Sequence, residues 1–119
     1  LLRVLRSFPH AFAGVGVVAR SQPNAWVHAL ATLVVSGMAA ALRVDRLEWC
    51  LLLLAVGMVW AAEAANTAIE CLADAVHPDP HPLIGRAKDV GAGAVLLASM
   101  AAAGAGMLVF VPRLMALAS

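Results

Sequence analysis

The sequence predicts an all-α integral membrane protein, with an N-terminal amphipathic helix on the membrane surface followed by three transmembrane helices. Hydrophobic residues make up 63% of the 119-residue chain and charged residues 13%, about half the charge that an ordinary soluble domain carries. Mean hydropathy is +0.90. Three apolar runs are each long enough to cross roughly 30 Å of hydrocarbon at about 1.5 Å per residue. The length allows a single domain, residues 1–119. The net charge of +1, from eight Lys/Arg against seven Asp/Glu, gives no basic surface for nucleic acid.

Residues 1–22 carry Arg3, Arg6, Ser7 and His10 at three- and four-residue spacing, with Leu2, Leu5, Phe8 and Phe12 on the other face. That pattern suits a helix lying in the membrane interface. Pro9 is expected to kink or restart it, with Ser7 as the cap of the second piece, and Pro23 to break it from the first span. The chain begins at Leu1 rather than Met, so the extreme N-terminus is expected to be missing or trimmed. What is present does not read as a cleaved signal peptide.

The spans are expected at residues 25–42, 47–76 and 88–111. The first connection, Arg43-Val44-Asp45-Arg46-Leu47-Glu48, is short and charged, which makes the first two spans an antiparallel hairpin. The second holds Pro78, Pro80 and Pro82 in alternation, which no helix interior tolerates, so the second span ends near Val76. His77 and His81 lie in this run and are read as parts of a rigid turn rather than as metal ligands. With the N-terminus in the cytoplasm, the inner side holds Arg3, Arg6, Arg20, Arg86 and Lys88, and the outer side Arg43, Arg46 and Arg113. The positive-inside rule favours that orientation.

Small residues recur at helical spacing in Gly57, Ala61 and Ala65 and in Ala94, Ala98, Ala102 and Gly106, faces that let helices approach closely in lipid. Trp26 and Trp49 sit at span edges as interfacial anchors, and Trp60 is read as packing or lipid contact. Cys50 and Cys71 are assigned neither a disulfide nor a metal.

The strongest signal is an acidic stripe. At 100° per residue, Glu63, Asn66, Thr67, Glu70 and Asp74 fall within an arc of roughly 100° on an otherwise apolar helix. An acid at the centre of a membrane helix costs about 2.5 to 3.5 kcal/mol on insertion scales. Asp74 is relieved by the nearby helix end, whereas Glu63 lies about 16 Å deeper. Such a stripe can hold a cation such as Mg²⁺ between carboxylates, and a deep carboxylate without metal can serve as a general base. The third span opens with Arg86-Ala87-Lys88-Asp89-Val90-Gly91-Ala92-Gly93. Cations there oppose the helix dipole but suit phosphate, and the glycines allow close backbone approach. A conventional P-loop is absent.

Two other readings of the stripe exist. It could bind the coupling ion or proton of a membrane transporter subunit, or the chain could be an assembly module held by its Ala/Gly faces. Either way, a lone monomer would expose the stripe to lipid, so a homo-oligomer is expected.

The run Glu63-Ala64-Ala65-Asn66-Thr67-Ala68-Ile69-Glu70, followed by Asp74 and then Arg86-Ala87-Lys88-Asp89, closely resembles the prokaryotic diacylglycerol kinase family, which includes undecaprenol kinases. Phe8, Ala11 and Gly14 match the family's entry segment, so the resemblance covers nearly the whole chain. It implies a homotrimer in the bacterial inner membrane, multi-pass, with active sites shared between subunits and facing the cytoplasm. It implies transfer of the γ-phosphate of Mg-ATP to a lipid hydroxyl. By motif, Glu63 would be the general base and Glu70 would bind the metal that bridges the ATP phosphates. Asn66 would position these groups, Lys88 would contact phosphate, Asp89 would sit beside it in the nucleotide site, and Asp74 would support that site. One position departs from the pattern: where the family commonly has a metal-binding Glu, this chain has Gln22, retained as a candidate metal ligand with an oxygen but no charge. Asn24 with His28, and His81-Pro82-Leu83, resemble the undecaprenol kinase branch more than the diacylglycerol branch, in which an acidic residue replaces that His. No lipid-contacting residue is assigned.

Overall fold

The computed structural model describes residues 1–119, the side chain of Ser21 excepted, as four helices: α1 (Leu2–Ser21), α2 (Pro23–Ala41), α3 (Arg46–Val76) and α4 (Pro82–Ala118). Three of them, α2, α3 and α4, are long and apolar enough to cross a membrane. Large apolar side chains along them face outward, among them Leu33, Leu53 and Leu108 at 71%, 72% and 81% exposure. In water each would cost on the order of 2 kcal/mol, and hydrocarbon removes that cost.

α1 does not restart at Pro9. The helix runs through it, because the proline removes only one backbone bond, the one to the Leu5 carbonyl. Ser7 is not a cap either, since its hydroxyl donates to the Arg3 carbonyl one turn back at 3.0 Å. The break comes at Gln22, which is extended (φ −98°, ψ 124°), and Pro23 takes the first position of α2, where its missing N–H is no loss.

The hairpin between α2 and α3 closes through backbone bonds that the sequence alone did not announce. The Val44 N–H reaches the Ala39 carbonyl (3.2 Å) and the Arg43 N–H reaches the Ala40 carbonyl (3.3 Å). Arg43 adopts the left-handed conformation, φ 52°. This is a Schellman termination with arginine where glycine is usual, and it is accompanied by burial of Val44 and Ala39 in one cluster. α3 then starts with a capping box. The Asp45 carboxylate accepts from the Glu48 N–H (2.8 Å), and Glu48 accepts from the Asp45 N–H (3.2 Å).

α3 and α4 form the most extensive contact, and α2 rests more lightly on α3. At the hairpin end, Ala39, Val44, Leu52, Val109 and Phe110 make the buried cluster. Arg113 of α4 locks that end. Its guanidinium donates to both Glu48 oxygens and to the Leu42 and Arg43 carbonyls, the latter pair at 3.3 and 3.4 Å. Arg43, Arg46 and Arg113 thus share one end of the bundle.

At the other end, α3 stops at Val76 before the proline run. His77 Nδ1 donates to the Asp79 carbonyl at 2.7 Å, and the two histidine rings pack edge to face at 5.1 Å. His81 accepts from the Leu83 N–H at 3.1 Å, and Pro82 is the first residue of α4. The last proline of the run therefore begins a helix, six residues ahead of the predicted span. Arg86 and Lys88 consequently lie on the second turn of α4 and not at its mouth, which weakens their conflict with the dipole.

Replacing Arg113 with Ala should lower the thermal unfolding midpoint in detergent, with Arg113→Lys recovering only part of the loss because a single ammonium cannot reproduce the bidentate fork. Circular dichroism melts of the purified protein check this.

Candidate active site

The polar face of α3 grades from buried to exposed. Glu63, Asn66 and Thr67 are buried, Glu70 is half-buried and Asp74 is exposed. A crossing needs about 20 residues, and α3, with 31, is longer than one crossing requires.

Between them the side chains of that face meet α2, α4 and the junction of α1 with α2. Glu63 is 1% exposed. Its Oε2 lies 3.0 Å from His28 Nε2 on α2, while Oε1 has no hydrogen-bond partner among the described residues. The Thr67 hydroxyl donates to the Glu63 carbonyl at 2.8 Å. Asn66 is 7% exposed, and its Oδ1 likewise lacks a partner. It fits against α4 only because residue 91 is glycine, for a Cβ there would lie 2.5 Å from Asn66 Oδ1. Glu70 accepts from Gln22 Nε2 at 3.2 Å, across the junction of α1 and α2. Asp74 accepts from Lys88 Nζ of α4 at 2.5 Å. Asp89 is exposed and makes no hydrogen bond or ion pair with the described residues.

Of the candidate site residues the structure thus joins two pairs, Glu70 with Gln22 and Asp74 with Lys88, while Glu63 meets His28, Asn66 meets Gly91, and Asp89 makes no hydrogen bond with the described residues. Gly91 accommodates Asn66, whereas a Cβ added at Gly93 would meet no side chain or neighbouring element within 4 Å. Sequence reasoning assigned no role at this site to His28, Thr32 or Ser99. His28 is 35 residues from Glu63, and only the α2–α3 hairpin makes them neighbours. Trp60, read as packing or lipid contact, anchors this region: its Nε1 donates to Thr32 Oγ1 (3.0 Å), which donates to the His28 carbonyl (2.7 Å), and its ring meets His28 edge-on at 5.9 Å.

Two cavities meet at this point. One, about 390 Å³, runs between α2, α3 and α4 from His28 and Trp60 toward Met38 and Phe110, and its walls are almost wholly apolar. The other, about 310 Å³, lies between α2 and α4 beside Asn24 and Ala92. His28 and Ser99 line both.

The model of the prokaryotic diacylglycerol kinase family matches residues 9–110. The chain belongs to that family. It is 35% identical over 114 residues to the undecaprenol kinase of Bacillus subtilis, covering 96% of this chain and 93% of that protein. It is 36% identical to the diacylglycerol kinase of Synechocystis, over 96% of this chain and 66% of that one. With the diacylglycerol kinase of Escherichia coli K12 it shares 31% identity, over 84% and 82%. The chain is therefore a membrane protein and a lipid kinase, and a kinase of this family requires a nucleotide phosphate donor.

A family kinase implies Mg²⁺, and the donor set can be tested against it. No three His, Cys, Asp or Glu side chains converge on one point among the described residues. Glu70 and Gln22 do converge, and turning the Gln22 amide about its last torsion presents Oε1 to the same place. Mg²⁺ is commonly held by one or two carboxylates, with water and phosphate oxygens completing the octahedron. Glu70 with Gln22 fits an ion that arrives with its nucleotide.

Gly91→Ala should lower turnover by about tenfold, or about 1.4 kcal/mol of barrier, by pushing Asn66 out of its seat. Gly93→Ala, with open space around it, should leave turnover within twofold of wild type, roughly 0.4 kcal/mol. Steady-state phosphate transfer by the two variants makes the comparison.

Proposed function

We propose that the chain transfers the γ-phosphate of Mg-ATP to the primary hydroxyl of a membrane lipid, undecaprenol in preference to diacylglycerol, as a homotrimer of the bacterial inner membrane. In this reading α1 lies along the membrane surface, and the active sites face the cytoplasm and are shared between subunits. The observation that carries it is Glu63: a carboxylate 1% exposed in a membrane helix, with one oxygen held and the other free.

A lipid whose chain occupied the apolar cavity would present its hydroxyl at the His28 and Trp60 end, next to Glu63. Glu63 Oε1 accepts the hydroxyl proton as the lipid oxygen bonds to the γ-phosphorus. The bond from that phosphorus to the bridging oxygen breaks, and its electron pair leaves with ADP. Phosphoryl transfer asks for positioning, charge neutralisation and a proton acceptor more than for covalent help. Glu70 and Gln22 would hold Mg²⁺, which when bound neutralises charge on the phosphate oxygens. Lys88 reaches phosphate by exchanging its contact with Asp74. Asp89, exposed and unengaged, is placed for the nucleotide or for a neighbouring subunit. Asn66 positions the acceptor region from its seat on Gly91.

The preference for undecaprenol rests on Asn24, His28 and His81-Pro82-Leu83 and on the nearly full-length match to the Bacillus subtilis enzyme. Family membership leaves the transporter reading without an observation of its own.

In mixed micelles with labelled Mg-ATP, the protein should phosphorylate undecaprenol and, more slowly, diacylglycerol. Glu63→Gln should cut kcat by about 10²- to 10⁴-fold while nucleotide binding persists. A Glu63→Gln variant with most of its turnover intact would refute the base assignment. Gln22→Glu should lower the Mg²⁺ concentration needed for half-maximal rate, because a second carboxylate adds charge to the ion's site. A Mg²⁺ titration at fixed ATP measures it.

A further inference from the structure

The proposed transfer accounts for one oxygen of Glu63 and leaves the other, with its partner His28, unexplained. A carboxylate has two equivalent oxygens and turns about its last torsion, so a buried one needs something to fix it. His28 Nε2 lies 3.0 Å from Oε2, and the carboxylate, acceptor-only when ionised, takes the hydrogen bond from a ring whose proton is on Nε2. The ring is fixed in turn by the edge of Trp60, 5.9 Å away between centroids, and by the Trp60–Thr32 pair on the α2 backbone. His28 also lines both cavities, so it stands where a lipid chain on one side and the approach past Asn24 on the other come together.

From this geometry we propose that His28 is a positioning residue, which donates a hydrogen bond to Glu63 Oε2 and thereby aims Oε1 at the lipid hydroxyl. The proposal rests on the kinase reading and on Glu63 as the proton acceptor. His28 neither gains nor loses a proton in the step. It supplies one fixed donor in a place where water is excluded, and such a donor holds the acceptor in line with the attacking oxygen more firmly than solvent could.

The test uses the full chain in mixed micelles with labelled Mg-ATP and undecaprenol, and compares His28→Ala, His28→Gln and His28→Asn. His28→Ala should lower kcat between about 10- and 100-fold, the scale expected when a reacting group is misaligned by about 1 Å, and leave KM for Mg-ATP within twofold. Glutamine carries an amide N–H where Nε2 lies and should recover most of kcat. Asparagine carries it where Nδ1 lies and should not. In the Glu63→Gln background, His28→Ala should cost nothing more, because His28 acts through Glu63. Unchanged kcat in His28→Ala overturns the proposal, as does equal loss in the glutamine and asparagine variants at unchanged thermal midpoint. An additive loss in the double variant overturns it too. A wild-type protein that yields no phosphorylated lipid removes the kinase chemistry itself, a failure seen before any variant is compared.

Discussion

A carboxylate cannot be left bare inside a membrane helix, and the position of Glu63 sets what the other helices must do. Its helix is apolar over most of its length, and it is the largest side chain fully enclosed in the protein. A buried carboxyl there calls for a hydrogen-bond partner from another helix. His28 meets it, and in doing so brings α2 against α3. The same requirement, eased by exposure, is met by Gln22 at Glu70 and by Lys88 at Asp74. At the far end Arg113 answers Glu48. Polar ties therefore hold the helices at both ends, and between them α2 stands off from α4 around an apolar space.

The gradient of burial along α3 suits a reaction between substrates from two solvents. Glu63 sits where water is excluded and a single hydrogen bond is worth most. Glu70, about 10 Å further along the axis, is half-buried. Asp74 is exposed, with Lys88 beside it. In the proposed reading one helix offers a proton acceptor to a molecule dissolved in lipid and charged groups to a molecule dissolved in water, with spacing set by the helical rise. A loop would place the same residues with less precision, because hydrocarbon tolerates no unpaired backbone.

The stripe was legible in the sequence because helical periodicity alone puts Glu63, Asn66, Thr67, Glu70 and Asp74 on one face. The limits of the proline run at Val76 followed from backbone chemistry. The Asp45-x-x-Glu48 capping box was written in the sequence and went unread behind the charge count. Other features could not be read from local pattern at all. The contacts of Glu63 with His28, Glu70 with Gln22 and Asn66 with Gly91 join residues 25 to 48 positions apart, and periodicity carries no information about which faces meet. Gly91 looked like room for phosphate and proved to be room for an amide. Ser7 looked like a cap because Pro9 looked like a break, yet a helix that loses one backbone bond continues when both flanks favour it.

The two positions at which this chain departs from an acid-rich pattern have a common consequence. The resemblance places a glutamate at position 22 and, in the diacylglycerol branch, an acid at position 28; this chain has Gln22 and His28. Both side chains face carboxylates, at 3.2 and 3.0 Å. An acid at either position would set two carboxylates against each other, and one of them would have to take up a proton or a cation to stay. A side chain that can donate instead makes a hydrogen bond and brings no second negative charge to the site. In the proposed reading the chain trades cation affinity for a site that is already ordered when the nucleotide arrives. At Glu70, the proposed metal ligand, that trade would loosen the hold on the ion, which the phosphates of the nucleotide would restore, because they supply oxygens of their own. At Glu63 the partner leaves one oxygen free, which is what the proposed proton acceptor needs.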